Sequence, residues 1–196
     1  MTTTSESRQR QILNAAAACF VRRGFHQSTM QEICREANLS PGSIYRYYRG
    51  KEEIIAVLVE ESCADFLSLF DAGRDRTDIA RAFNDLIDAV LEKIRDPALC
   101  CLHIEANAEA LRNPRMTGIV ERRDAAILSA LADMIRQAQS KGAMDENLDP
   151  DMSAEIMVAL VKGLAMRKGI NPKLDTMAHG PILKTLSARF LQTKVV

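Results

Sequence analysis

Apolar residues recur every three to four positions along almost the whole sequence, which is the spacing of amphipathic α-helices. Segments that alternate apolar and polar residues between hairpin turns, as strands do, are not found. Glycines, prolines and helix-capping residues divide this periodic pattern into about nine helices. The sequence therefore predicts an all-α fold, and its 196 residues suffice for one or two domains.

The predicted helices place a domain boundary inside the fourth helix. Residues 1–53 are expected to form a three-helix domain, and residues 54–196 a larger helical domain. The helices are predicted at about 7–23, from 28 onward, and at 40–48, 51–70, 77–95, 98–112, 115–141, 150–168 and 181–192.

Charge is distributed unevenly although the chain as a whole is neutral. Residues 1–51 carry eight Lys or Arg against three Asp or Glu, whereas the remainder carries 18 against 23. The resulting net charge of +5 falls to +3 if the count extends to residue 53. This moderate asymmetry indicates an anionic partner for the N-terminal segment.

Cysteine usage and hydropathy indicate a cytoplasmic protein. The sequence has neither a run of about 18 apolar residues nor an N-terminal signal-peptide pattern. An odd number of cysteines without a C-x-x-C motif favours reduced thiols. The adjacent Cys100 and Cys101 leave a redox or metal role as a minor alternative, and no metal site or cofactor is expected. The five cysteines are Cys19, Cys34, Cys63, Cys100 and Cys101.

The segment from residue 37 to residue 51 predicts a helix-turn-helix. Ser40 is a favourable N-cap, and Pro41 occupies the first helical position, where its missing N–H costs nothing. Leu39 and Ile44 have the spacing of a hydrophobic staple. Asn38 is suited to a left-handed turn between two helices. These features fix two short helices at a tight angle.

The short third helix has an inner and an outer face. Ile44 and Tyr48 are expected to pack inward against Ile12, Phe20, Phe25 and Ile33. The small residues Gly42 and Ser43 would let the backbone approach DNA bases, and Arg46 could bind guanine O6 and N7. Phosphate donors are expected at Thr29, Tyr45, Tyr47 and Lys51. The start of the second helix contains two possible capping boxes, Ser28–Gln31 and Thr29–Glu32.

This N-terminal region resembles the TetR family of bacterial regulators over about the first 55 residues. The resemblance starts upstream of the helix-turn-helix, with Ile12-Leu13 and Gly24-Phe25. The resemblance implies backbone contacts by Thr29, Tyr45, Tyr47 and Lys51, and sequence recognition by Ser40, Pro41, Gly42, Ser43 and Arg46. Asn38 and Cys34 replace the family's usual glycine and alanine. The matching segments are Thr29–Ile33 (TMQEI), Ala37–Ser40 (ANLS), Gly42–Tyr48 (GSIYRYY) and Lys51–Ile54 (KEEI).

The C-terminal domain is expected to bind a small apolar or amphipathic effector. Cys100, His103 and Asn107 share one helix face by their spacing and could orient a ligand in an apolar pocket. Flexible methionines would suit such a pocket. The alternative is that each of these residues is ordinary core. The candidate ligand residues are Phe66, Phe70, Cys100, His103, Asn107, Met134 and Met157.

Two apolar C-terminal helices are expected to form a homodimer, as the family resemblance implies, although they could instead close the core of the monomer. A dimer would place two recognition helices on a palindromic operator with half-sites about 34–36 Å apart. The candidate interface residues are Met157, Leu160, Val161, Leu164, Ile182, Leu186 and Phe190.

The sequence thus indicates a ligand-responsive repressor of transcription. A ligand-independent DNA-binding protein is one alternative, and a helical enzyme with an accessory helix-turn-helix is another. The sequence lacks the G-x-x-x-x-G-K-[ST], H-E-x-x-H and G-x-S-x-G motifs, which disfavours the enzyme.

Overall fold

Nine α-helices and one short 3₁₀ helix form the regular structure of residues 4–71 and 78–191, the part of the chain that the computed structural model describes. These ranges contain no strand, so the all-α prediction is confirmed. The predicted start of the fifth helix at residue 77 and the end of the ninth at residue 192 lie outside the described residues. The helices are α1 (Thr4–Arg23), α2 (Met30–Glu36), α3 (Pro41–Tyr45), α4 (Lys51–Asp71), α5 (Ile79–Lys93), α6 (Pro97–Ala110), α7 (Pro114–Ser140), α8 (Pro150–Ile170) and α9 (Gly180–Phe190), with the 3₁₀ helix at Met177–His179.

Local capping explains where the first helices begin and end. Gly24 follows α1 with φ +78°, and Asn38 follows α2 with φ +51°, so both are left-handed, as the sequence predicts for Asn38. Thr29 forms the predicted capping box with Glu32, because each side chain bonds to the other residue's backbone N–H. The other predicted capping box, Ser28–Gln31, is wrong, because Ser28 is buried and its hydroxyl donates to the carbonyls of Cys19 and Gly24.

The chain divides into two compact units. The first unit extends up to Ser62 and includes Cys101–Glu121, and the second comprises Cys63–Cys100 and the chain from Arg122 onward. The chain therefore passes between the two units within α4, within α6 and within α7. Most of α6 belongs to the unit that contains the helix-turn-helix, which local periodicity gives no means to foresee.

The core of the first unit confirms the predicted inner face of α3. Ile44 and Tyr48 are buried in one apolar cluster with the four predicted partners, and the Phe20 and Phe25 rings lie 5.4 Å apart. Residues of α6 and α7, among them Leu102, complete this cluster. The cluster thereby fixes α3 against α1 and α2.

The second unit contains two apolar clusters and an unusual buried charge. Arg123 is buried and donates through Nε and Nη2 to Oδ1 of Asp124, whose Oδ2 accepts from Lys162. The three charges link α7 to α8. Within the described residues, no helix is both long enough and apolar enough to cross a bilayer.

Candidate nucleic-acid interface

The outer face of α3 exposes polar groups of the kind that bind DNA. Gly42, Ser43, Tyr45 and Arg46 are exposed, and Tyr47 is half-buried. A side chain added at Gly42 would meet no neighbour within 4 Å, so the backbone there is open to a close approach. The predicted outer face of the recognition helix therefore faces outward in the structure.

The N-terminus of α3 is fixed by two serine hydroxyls. Oγ of Ser40 accepts the backbone N–H of Ser43 at 3.3 Å and lies 2.8 Å from the Ser43 hydroxyl. Pro41 follows as the first helical residue. The capping bonds make the start of the helix rigid. Ser40, Pro41 and Ser43 are all exposed, so this start is also accessible.

Arg46 and Tyr47 form a coupled pair at the end of α3. Nη2 of Arg46 donates to the Tyr47 hydroxyl at 3.0 Å, and the guanidinium carbon lies 5.2 Å from the centre of the Tyr47 ring. The Arg46 hydrogen bond is the largest cause that lowers the pKa of Tyr47, followed by a hydrogen bond from Ser5. Both donors are thus held in place before any ligand binds, which limits the entropy that they lose on binding.

The ammonium group of Lys51, which the sequence suggests as a phosphate donor, is bound to backbone carbonyls in the structure. Its Nζ donates to the carbonyls of Phe25, His26 and Ser28 at 2.8, 3.1 and 3.1 Å, and it lies 4.5 Å from the centre of the Phe25 ring. These bonds occupy all three donors of an ammonium group. Lys51 therefore ties the start of α4 to the loop before α2, whose cap is Thr29.

Two glutamates of α6 hold the same loop from another side. Oε2 of Glu105 accepts the backbone N–H of Phe25 at 2.7 Å, and Oε2 of the buried Glu109 lies 3.0 Å from Nε2 of His26. A side chain at Gly24 would come within 3.3 Å of Glu105, and its φ of +78° independently favours glycine. The sequence gives no signal for these contacts, because the paired residues lie about 80 positions apart.

Several basic residues of the N-terminal segment are neutralised by carboxylates. Arg10 makes a bidentate pair with Glu61 of α4, and Arg22 pairs with Glu36. Arg23 pairs with Glu32. The excess positive charge seen in the sequence is therefore concentrated on fewer side chains than the count suggests.

The candidate effector residues do not come together. Phe66 packs on the cluster that contains the buried Cys100, whereas Phe70 and Met134 pack on the cluster that contains Met157. In the first unit, Nε2 of His103 lies 2.8 Å from Oγ of Ser62, and Asn107 is exposed. The shared face of Cys100, His103 and Asn107 thus passes from buried to exposed along α6.

The candidate dimer residues separate into an inner and an outer set. Met157 and Leu164 are buried in the cores of their own unit, and this corrects the expectation that they face a partner. Val161 is half-buried. Leu160, Ile182, Leu186 and Phe190 are exposed, and so are Met152 and Ile156, which the sequence analysis missed.

The helix-turn-helix, with its fixed caps and exposed polar face, defines a DNA-binding protein. A model described as bacterial regulatory proteins of the tetR family matches residues 12–58. A model of the C-terminal region of BetI-type transcriptional repressors matches residues 80–192. The chain belongs to the TetR family of bacterial transcriptional regulators.

One curated relative and two solved structures show what this chain is similar to in sequence and in fold. The chain is 25% identical over 165 residues to the HTH-type transcriptional regulator UidR of Escherichia coli (strain K12), which covers 84% of this chain and 83% of UidR. Its fold is similar to that of the fatty acid degradation regulator FadR from Bacillus halodurans, with a TM-score of 0.86, 19% identity and coverage of 95% and 97%. The regulator FadR from Bacillus subtilis, solved with stearoyl-CoA, gives a TM-score of 0.82 at 20% identity, with coverage of 91% and 96%.

Proposed function

We propose that this regulator binds a palindromic operator as a homodimer and represses transcription until a small apolar or amphipathic effector releases it. The observation that supports this most directly is the rigid helix-turn-helix, whose outer face carries the coupled Arg46–Tyr47 pair. Effector binding would favour a state in which the two recognition helices no longer match the two half-sites.

Sequence recognition is assigned to the exposed residues at the start and on the outer face of α3. Arg46 reads a base, whereas Tyr45, Tyr47 and Thr29 bind phosphates. Lys51 is assigned to positioning the loop before Thr29, because its ammonium already binds three carbonyls. The residues proposed at the groove are Ser40, Pro41, Gly42, Ser43 and Arg46.

Base recognition by Arg46 is tested by selecting bound duplexes from a randomised library with the wild type and with Arg46→Ala. We expect the variant to lose preference at one base pair of each half-site, a loss of about 1–3 kcal/mol against the wrong base. Arg112→Ala, at an exposed position in the same unit, is the control and should keep the wild-type preference. A uniform loss on all sequences would remove the proposed role of Arg46.

Dimerisation is assigned to the exposed apolar face of α8 and α9, with a second copy of this chain as its occupant. Large apolar side chains exposed together are typical of interfaces. Leu186→Glu should give monomers in sedimentation, because it would bury an unpaired charge. Leu111→Glu is the matched control, since Leu111 is 83% exposed but lies in the other unit. If the Leu186 variant sedimented as the wild type does, this surface would not be the interface.

The effector is proposed to bind among the apolar clusters of the second unit, near Phe66 and Cys100 or near Phe70, Met134 and Met157. Stearoyl-CoA in the Bacillus subtilis FadR structure is an amphipathic ligand of the proposed kind. A titration would measure DNA release by long-chain acyl-CoA thioesters, with free coenzyme A as the control. Release by coenzyme A alone, or by neither, would exclude this class.

We also propose that this regulator works in the cytoplasm, and that it acts by binding DNA and effector and not by catalysing a reaction. Turnover of a candidate effector by the purified protein would instead support an enzyme.

A further inference from the structure

The first turns of α1 lie beside the helix-turn-helix. Nε2 of Gln11 donates to the carbonyl of Ala37, the C-cap of α2, at 2.6 Å. Nη1 of Arg8 donates to Oε1 of the same Gln11 at 2.8 Å. Two hydrogen bonds therefore connect the Arg8 guanidinium to the turn that precedes the recognition helix.

The same turns of α1 also influence the Tyr47 hydroxyl electrostatically. Besides the bond from Arg46, a hydrogen bond from Ser5 and the charge of Arg8 lower the pKa of Tyr47. Ser5 and Arg8 are exposed. The first turns of α1 thus bring exposed donors to the turn before α3, and the Arg46–Tyr47 pair lies just after the same short helix.

Arg8 differs from the other arginines of α1 in its partner. Arg10, Arg22 and Arg23 each pair with a carboxylate, whereas Arg8 bonds to the neutral amide of Gln11. A guanidinium that keeps its full charge on an exposed edge is suited to a phosphate, which it can bind through two parallel N–H groups.

We propose that Arg8 binds a DNA phosphate next to the one held by Tyr47, so that α1 belongs to the DNA interface. This proposal rests on DNA binding by the helix-turn-helix. It adds to each half-site a contact that carries no sequence information but raises affinity on every duplex. Gln11 is a positioning residue, because its side chain bonds both to Arg8 and to the turn after α2.

The test is the salt dependence of binding by the full chain, measured by fluorescence anisotropy on its selected operator and on random duplex. Each phosphate contact contributes about 0.9 to the slope of log affinity against log salt, so a dimer should lose about 1.8 with Arg8→Gln. The affinity for both duplexes should fall severalfold. Arg8→Lys, which keeps the charge, should restore most of the slope.

Arg10→Gln is the matched control, because it makes the same charge change two residues away on α1, where Arg10 pairs with Glu61. We expect its slope to stay close to that of the wild type. If Arg8→Gln and Arg10→Gln gave the same slope, the α1 contact would be overturned while wild-type binding still supported the helix-turn-helix. Urea unfolding should show equal midpoints for the wild type and Arg8→Gln, since the Arg8 side chain is exposed.

Discussion

Replacing Lys51 with methionine separates a positioning role from a phosphate contact. Methionine has a similar length and shape, but it removes the three hydrogen bonds to the carbonyls of Phe25, His26 and Ser28. Hydrogen bonds to charged groups contribute about 1.5–3 kcal/mol when measured singly. Here one half-buried ammonium serves three carbonyls that water can partly rehydrate, so we expect a total loss of about 2 kcal/mol.

This loss should appear as a lower urea midpoint and, for a chain of this size, as a fall in Tm of about 4–8 °C. DNA affinity should also fall, because the loop before Thr29 loses its anchor. The slope of log affinity against log salt should stay unchanged, since no phosphate contact is removed.

Lys141→Met, at an exposed lysine beyond α7, is the control and should change stability by less than about 0.5 kcal/mol. The positioning account would be refuted if Lys51→Met kept the wild-type midpoint and lowered the salt slope by about 0.9 per protomer. That result would restore the direct phosphate contact that the sequence suggests.

Three further expectations concern stability and thiol reactivity. Asn38→Ala should cost about 1 kcal/mol in urea unfolding because φ is +51°, whereas Asn38→Gly should be close to neutral. Burial tends to raise the pKa of Asp124, but Lys162 and Arg123 outweigh it, so the pKa is lowered. The stabilisation from Asp124 should therefore be full above the unfolded pKa of about 3.9 and disappear as pH falls through the folded value. Asp124→Asn should then cost about 3 kcal/mol at pH 7 and less at acidic pH, and equal losses at both would contradict this. Cys19 and Cys34 are buried, and burial raises the pKa of both thiols, so both should react with a disulfide reagent at neutral pH much more slowly than they do in the urea-unfolded protein.

The elements that the sequence predicts well are those specified by adjacent residues. The Ser40 cap, Pro41 and the left-handed Asn38 determine the geometry of α3 within a few positions, and the structure confirms them. Ser28 shows the limit of this reasoning, because its hydroxyl turns inward to the carbonyls of Cys19 and Gly24. Burial, and not spacing, decides between the two capping boxes.

Features that depend on distant contacts could not be predicted. Lys51, Glu105 and Glu109 meet the loop before α2 through contacts between residues far apart in sequence. On α8, apolar residues occur on nearly every face, so periodicity alone could not distinguish the buried Met157 from the exposed Ile156. An apolar stripe shows which side of a helix is buried only when the opposite side of that helix is polar.

The central claim is that the outer face of α3 reads duplex DNA, and selection from a randomised duplex library at physiological salt tests it most directly. We expect the protein to enrich an inverted repeat whose half-sites lie about 34–36 Å apart. Recovery of sequences no different from the starting library would contradict the claim.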